Sequence, residues 1–430
     1  MLAGLAGLAL DRAPPLGVPL RFLLTAPAFG VAAGIALVAA GPGAPVARLA
    51  GSVVGATHLF TLGVVTMVMC GALFQLLAVV GGGSVPRQRQ VAAVTHALLT
   101  GGAAVLAAGL ILERQPAVGV GALLALAALM AFAAAAGAGV RTAARGQETV
   151  RAMGLALAAL AVAAALGATA ALARAGWPAP RLPLAGHLHQ GWVLAGWVGV
   201  LVMGVAWQVV PMFQMTPPYP AWARRWLPRA VMGALAVWSA AAPAALPGAA
   251  LALLPAGLAL GAFAVLTLRL QTQRRRRLPD ATLSAWRLAM ISLLGALACA
   301  APAFMPGADP RWAYAAGTLY LAGFAASAIV GMLYKIVPFL LWLDLHRRLQ
   351  PVPGALGRVP HLRQLLPETR ARRQLRLQAA AVLLLALSVL WPRLLLLPAG
   401  LALAAAWAVM GAVMLGAVRA HRAALGRAVP

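Results

Sequence analysis

Three histidines sit in company that is otherwise almost wholly apolar. His58 stands near the start of THLFTLGVVTMVMCGALFQLLAVV, and His187 and His189 near the start of GHLHQGWVLAGWVGVLVMGVAWQVVPMF. Ionisable side chains in stretches fit for lipid are costly and mark function by default. Neutral imidazole is the commonest metal ligand among side chains and holds haem iron in many proteins. A bis-histidine haem needs two imidazoles from facing helices at one depth, and His58 with His187 or His189 could supply them. A single histidine here reads more simply as a helix cap or an interfacial anchor. Three at one depth on related helices favour a metal or haem site.

The relation between those helices is an internal repeat. The first stretch carries Gly63, Gly71, Phe74 and Gln75, and the second Gly196, Gly204, Trp207 and Gln208. A third, TLYLAGFAASAIVGMLYKIVPFLLW, carries Gly323, Gly331, Tyr334 and Lys335. The leading glycines lie 133 and then 127 residues apart. A repeat at such spacing has to be read before any single motif. Counted back from its glycine at about 100° per residue, His58 falls within about 40° of His187, on the same face of an equivalent helix. His189 lies about 200° round from His187, so one helix aims these two at different interhelical spaces. The glycines read as packing ridges that let backbones approach in lipid. Gln75, Gln208 and Lys335 read as polar anchors, Lys335 with a stem long enough to snorkel.

Other candidates are weaker. His96 lies too near the opposite end of its stretch to join the three. Met67 and Cys70, one turn apart, offer soft sulfur suited to copper(I), although apolar filling explains them more simply. His346, His361 and His421 fall among arginines and read as solvated loop residues.

The elements that must position these residues follow from composition. The chain of 430 residues is 63% apolar and 10% charged, against about 45–50% and 25% in soluble domains. Twelve stretches are long and apolar enough to read as membrane helices, approximately 22–42, 54–80, 91–112, 117–140, 152–173, 187–213, 230–247, 249–268, 288–305, 312–342, 377–391 and 394–418. The expected fold is all-α: one polytopic membrane domain over residues 1–430, in three four-helix pseudo-repeats at approximately 22–140, 152–268 and 288–418. The net charge of +27 first suggests nucleic acid, but its distribution excludes that partner. Of the arginines, 27 fall in alternate connections and only six in the others. That asymmetry is the positive-inside rule; it predicts cytoplasmic termini and some affinity for anionic headgroups. Cys70 and Cys299 lie inside spans, so no disulfide framework is implied. The opening MLAGLAGLAL lacks a basic lead, so no cleavable signal is expected. An Ala/Leu/Arg-heavy chain of this kind suits the inner membrane of a high-GC bacterium.

Twelve helices in three sets of four, His58 on the second helix and His187-Leu188-His189 leading to Gly196, Trp197, Gly204 and Pro211, resemble subunit I of the heme-copper oxidases. The likeness is to the cbb3-type and nitric-oxide-reductase branch and to NnrS-like proteins. The architectural likeness covers most of the chain, and the motif likeness about fifty residues. In that family the paired histidines serve different haems from opposite sides. The resemblance implies haem b or copper near the periplasmic face, respiratory partner subunits, and a role in electron transfer, haem or copper handling, or the nitric-oxide response.

The departures matter. The H-x-H pair here falls on the sixth helix by repeat order, where the family has it on the tenth. The seventh span has no histidine, and no carboxylate lies well inside any span. The standard oxygen-reducing centre is therefore missing, and enzymatic oxygen chemistry is not expected. The competing expectation is a cofactor-free transporter of small solutes or metals, built on the repeats and on Gln75, Gln208 and Lys335.

Overall fold

A backbone withdrawn from water must satisfy its own polar groups, and runs of Ala, Leu, Val and Gly outside a barrel do so as helices. The computed structural model describes residues 9–143, 146–177, 182–246, 248–276, 278–305, 307–351, 357 and 359–428. Arg145, Arg181, Arg277 and Arg358 of the charge pattern, the opening eight residues and most of 352–358 lie outside these. Among the described residues there is no strand. The protein is an all-α polytopic membrane protein, with twelve long helices among the described residues. These are α1 Gly17–Ala40, α2 Gly51–Val79, α3 Gln88–Ile111, α4 Gln115–Thr142, α5 Glu148–Arg174 and α6 Leu184–Gln214. They continue as α7 Ala221–Ala241, α8 Ala249–Thr272, α9 Ala281–Ala303, α10 Pro310–Leu349, α11 Glu368–Leu387 and α12 Pro392–Ala428.

Nine of them form a closed ring: α1, α3, α4, α5, α7, α8, α9, α11 and α12 each pack on the next, and α12 packs on α1. Inside the ring stand α2, α6 and α10. Their apolar windows are 83%, 72% and 89% buried, against 50% or less for every other span. These three carry the repeated glycines, and the glycines explain the depth of packing. A Cβ on Gly63 would meet the Phe29 ring at 2.2 Å, one on Gly196 the Ala159 Cβ at 2.8 Å, and one on Gly323 the Ser292 Cβ at 2.5 Å. One turn pair further on, Gly71, Gly204 and Gly331 press on Phe22, Ala152 and Trp286 in the same way. Each inner helix therefore lies backbone-close against the helix that precedes it. Small residues allow this where no hydrophobic force operates between helices.

The inner helices share a second feature. Each changes to π-helix for a short stretch, at Thr61–Thr66, Trp192–Gly199 and Leu319–Ala325. All three stretches contain the leading glycine of the repeat. Such segments loosen the regular hydrogen-bond ladder and are common at functional sites. The loosened carbonyls find partners from neighbouring helices: Tyr320 donates its hydroxyl to the Leu194 carbonyl at 2.5 Å, and Gln378 Nε2 donates to the Ala322 carbonyl at 2.8 Å. Trp197 Nε1 donates to Thr66 Oγ1 at 3.2 Å, joining α6 to α2 at the same level.

Three expectations need revision. Ten of the twelve helices are long and apolar enough to cross a membrane. In α7 and α11 the first turns hold Arg224, Arg225 and Arg229 or Arg370, Arg372, Arg373 and Arg376, which leaves a shorter apolar stretch in each. The supposed loop histidines belong to ordered elements, because α10 and α12 extend beyond the apolar zone. His346 lies on α10 against Trp342, His361 caps the one-turn helix Leu362–Leu365, and buried His421 on α12 pairs with Asp344 at 3.0 Å. Lys335 does not reach for headgroups; it pairs with Asp280 at 3.0 Å.

Candidate metal centre

The structure brings His58 and His189 together and leaves His187 apart. The rings of His58 and His189 are parallel to within 6°, with centroids 6.2 Å apart. His187 is exposed at the end of α6, close enough to Arg48 to feel its charge. Rotational geometry explains the choice. His58 and His187 occupy the same face of equivalent helices. Helices arranged round a common centre turn equivalent faces in different directions, as in any head-to-tail contact. Two side chains meet across such a contact only from opposed faces, and His189 is about 160° from the face of His58. Of the two partners open to His58, His187 and His189, the structure sets His189 beside it.

Each ring is fixed through one nitrogen. His58 Nδ1 donates to the Val54 carbonyl, one turn back on α2, at 2.8 Å. His189 Nδ1 donates to the Ala163 carbonyl on α5, also at 2.8 Å. A carbonyl only accepts, so in the neutral imidazole each Nδ1 carries the proton. The Nε2 lone pair of each is left for a ligand. A backbone carbonyl holding the far nitrogen is the usual way a metal-binding histidine is oriented.

The seat for His189 comes from α5. A Cβ on Gly167 would lie 2.6 Å from His189 Cε1 and 2.7 Å from Nδ1. Only glycine admits the ring there, one turn from the carbonyl that orients it. Neither Gly167 nor Ala163 was marked by the sequence reading. A small residue one turn from another in an alanine-rich helix gives no signal of its own until the partner helix is known.

The remaining candidates lie elsewhere. His96 on α3 donates from Nε2 to Thr25 Oγ1 at 2.8 Å, the Thr25 hydroxyl itself being given to the Arg21 carbonyl. It ties α3 to α1 at the arginine-rich end. Met67 and Cys70 are fully buried in apolar surroundings. They stand nine and twelve residues from His58, about 13 and 18 Å along the helix. Neither can share an ion with it. Among the described residues no group of three or more His, Cys, Asp or Glu side chains could hold a metal.

A polar cluster at the arginine-rich end was also missed. Asp280 caps α9, accepting from the Leu283 amide at 3.0 Å, and pairs with Lys335 and with Arg276 at 3.3 Å. Burial pushes its carboxyl up, but Lys335, the Leu283 amide and Arg276 outweigh it and hold it below the usual carboxylate range. The signal was present as an aspartate just before a helical run.

No protein-family model matches this chain, and no curated protein matches it significantly.

Proposed function

We propose that this chain is a metal-binding membrane protein of electron-transfer type, with haem b held between His58 and His189 at the arginine-poor end of the bundle. One observation carries the reading: two parallel imidazoles 6.2 Å apart, each with its Nδ1 committed to a backbone carbonyl. An imidazole centroid lies a little over 1 Å behind its nitrogen, and an N–metal bond is about 2.0–2.1 Å. Rings gripping one ion from opposite sides therefore have centroids about 6.4 Å apart. The donor set fits the group chemically. Two protein ligands suffice for haem, whose macrocycle supplies the other four nitrogens. Bound there, haem b would supply a one-electron carrier. Were haem bound, His58 and His189 would both be spent on holding it, which favours electron transfer over gas binding; Val54 and Ala163 fix the rings, and Gly167 leaves the space for His189.

The same two-histidine set supports a second reading, a single copper(I) held linearly, for which imidazole is a suitable ligand. Arginine segregation supports an orientation with the Arg-rich end in the cytoplasm and the histidines near the periplasmic face of a bacterial inner membrane. There the centre would serve respiratory partner subunits, metal handling or the nitric-oxide response.

Purification from copper- and iron-replete cells, with absorption spectra of oxidised and reduced protein and metal analysis, tests the reading. A Soret band with iron near one per chain is expected. A colourless protein with one copper would replace haem by copper(I). A metal-free, colourless protein would overturn both and favour cofactor-free transport.

A further inference from the structure

The opening of α7, AWARRWLPRAVMG, interleaves its arginines with tryptophans. Trp222, Arg225, Trp226 and Arg229 stand at i, i+3, i+4 and i+7, so they share one face of the helix. That face looks outward: both tryptophans and Arg225 are exposed, and Arg229 is partly so. The guanidiniums of Arg225 and Arg229 lie over the same Trp226 ring, 5.2 and 5.9 Å from its centroid. Arg229 also donates to the Arg225 carbonyl and lies 3.5 Å from Glu148 on α5. Glu148 is itself engaged by Arg151 at 2.7 Å. This corner thus holds three guanidiniums and one carboxylate, and among the described residues no carboxylate pairs with Arg225. Farther along, the same face carries Gly233, Ala236 and Val237, all exposed, and a Cβ on Gly233 would meet nothing within 4 Å. In the ring α7 stands between α5 and α8, both long and apolar enough to cross a membrane, so this part of its outer face lies against lipid.

We propose that the outer face of α7 binds one anionic phospholipid, with its phosphate on Arg225 and Arg229 and an acyl chain along Trp226, Gly233 and Val237. The head must be anionic, because Arg151, Arg225 and Arg229 exceed the single carboxylate of Glu148. Each guanidinium fork matches phosphate oxygens two at a time, and contact with the Trp226 ring holds both forks in place. The tail must be apolar, because the face continues from Trp226 to Val237 as an apolar lane about 16 Å long. Tryptophan between the two belongs at the level where headgroups meet chains. A nucleic acid or an acidic peptide would satisfy the charge but not the lane. Segregation of arginine to this end does not by itself produce the pattern. The arginine-rich first turns of α11, ETRARRQLR, contain no aromatic residue, and there Arg372 is paired with Glu368. The inference is independent of the histidine pair, which lies at the opposite end of the bundle.

Photolabelling of the full-length protein in phosphatidylcholine nanodiscs, with phosphatidylglycerol carrying a diazirine in its acyl chain, followed by peptide mapping, tests it. Label is expected on the outer face of α7, at Trp226, Ala236 or Val237, in excess over the outer faces of the other ring helices. Added unlabelled phosphatidylglycerol should suppress that excess, and added phosphatidylcholine or inorganic phosphate should not. Arg225→Gln should cut it about fivefold, the effect of one basic residue at the headgroup level, and Trp226→Leu should also reduce it. Arg422→Gln, which removes an exposed arginine from α12 at the same end of the bundle, should leave it unchanged. Label spread evenly round the ring would overturn the inference. So would equal effects of Arg225→Gln and Arg422→Gln, or equal competition by phosphatidylcholine. Suppression by inorganic phosphate would make the corner a free-anion site and overturn the lipid assignment. If a variant is not monodisperse, the label map and headgroup competition on the unaltered protein decide alone.

Discussion

At the scale of single residues, the proposed function rests on which nitrogen of an imidazole is left free. His58 and His189 each spend Nδ1 on a carbonyl from a different source, one on its own helix and one on α5. The second contact makes Gly167 a positioning residue. Gly167→Ala places a methyl 2.6 Å from His189 Cε1 and must turn the ring. Loss of such a supporting contact typically weakens metal binding by about 10–100-fold. We expect that weakening in a metal or haem titration, with the protein still monodisperse. Asp280 answers a different question, the effect of pH on stability. Its folded carboxyl is held below its ordinary value, so its contribution is complete above about pH 4 and fades as pH falls through the lower folded value. Asp280→Asn keeps the helix cap but leaves Lys335 without its ion pair. It should lower stability by about 1–2 kcal/mol at pH 7, and melting curves of the two proteins should converge on acidification.

At the scale of elements, the three π-helical stretches decide how the inner helices meet. Tyr320 satisfies a carbonyl that the stretch in α6 exposes. Tyr320→Phe keeps the ring packing and removes the hydrogen bond, which should cost about 1–3 kcal/mol for a buried carbonyl left alone. A thermal-denaturation midpoint lowered by several degrees is the expected reading; an unchanged midpoint would mean water serves as well. The glycine pattern that announces these helices was legible in the sequence, since the spacing of Gly63, Gly196 and Gly323 needs no partner to be seen. The π-helix was not. It arises from packing against the preceding helix, and nothing in LGVVT or AGWVG distinguishes it locally from an ordinary turn.

At the scale of the whole molecule, the helices and their order could be read from apolar runs, because a bilayer sets a minimum length for each crossing and ten of the helices meet it. The closed ring and its three inner helices required contacts between residues far apart in sequence. So did the pairing of His58 with His189: equal depth was legible, but which faces oppose depends on the rotation between units. Arginine segregation makes a prediction at this scale. With Cys299 replaced by serine and Cys70 buried, a cysteine introduced at Glu113 should react with an impermeant maleimide in intact cells. One at Gln273 should react only after permeabilisation, and the reverse pattern would invert the topology.

The claim on which the account stands is that residues 58 and 189, not 187, grip one metal. Cofactor content and reduced-minus-oxidised spectra of His58→Ala, His189→Ala and His187→Ala, purified side by side, measure it directly. The account predicts loss of the bound cofactor in the first two and its retention in the third. Retention in His189→Ala, or equal loss in His187→Ala, would contradict it.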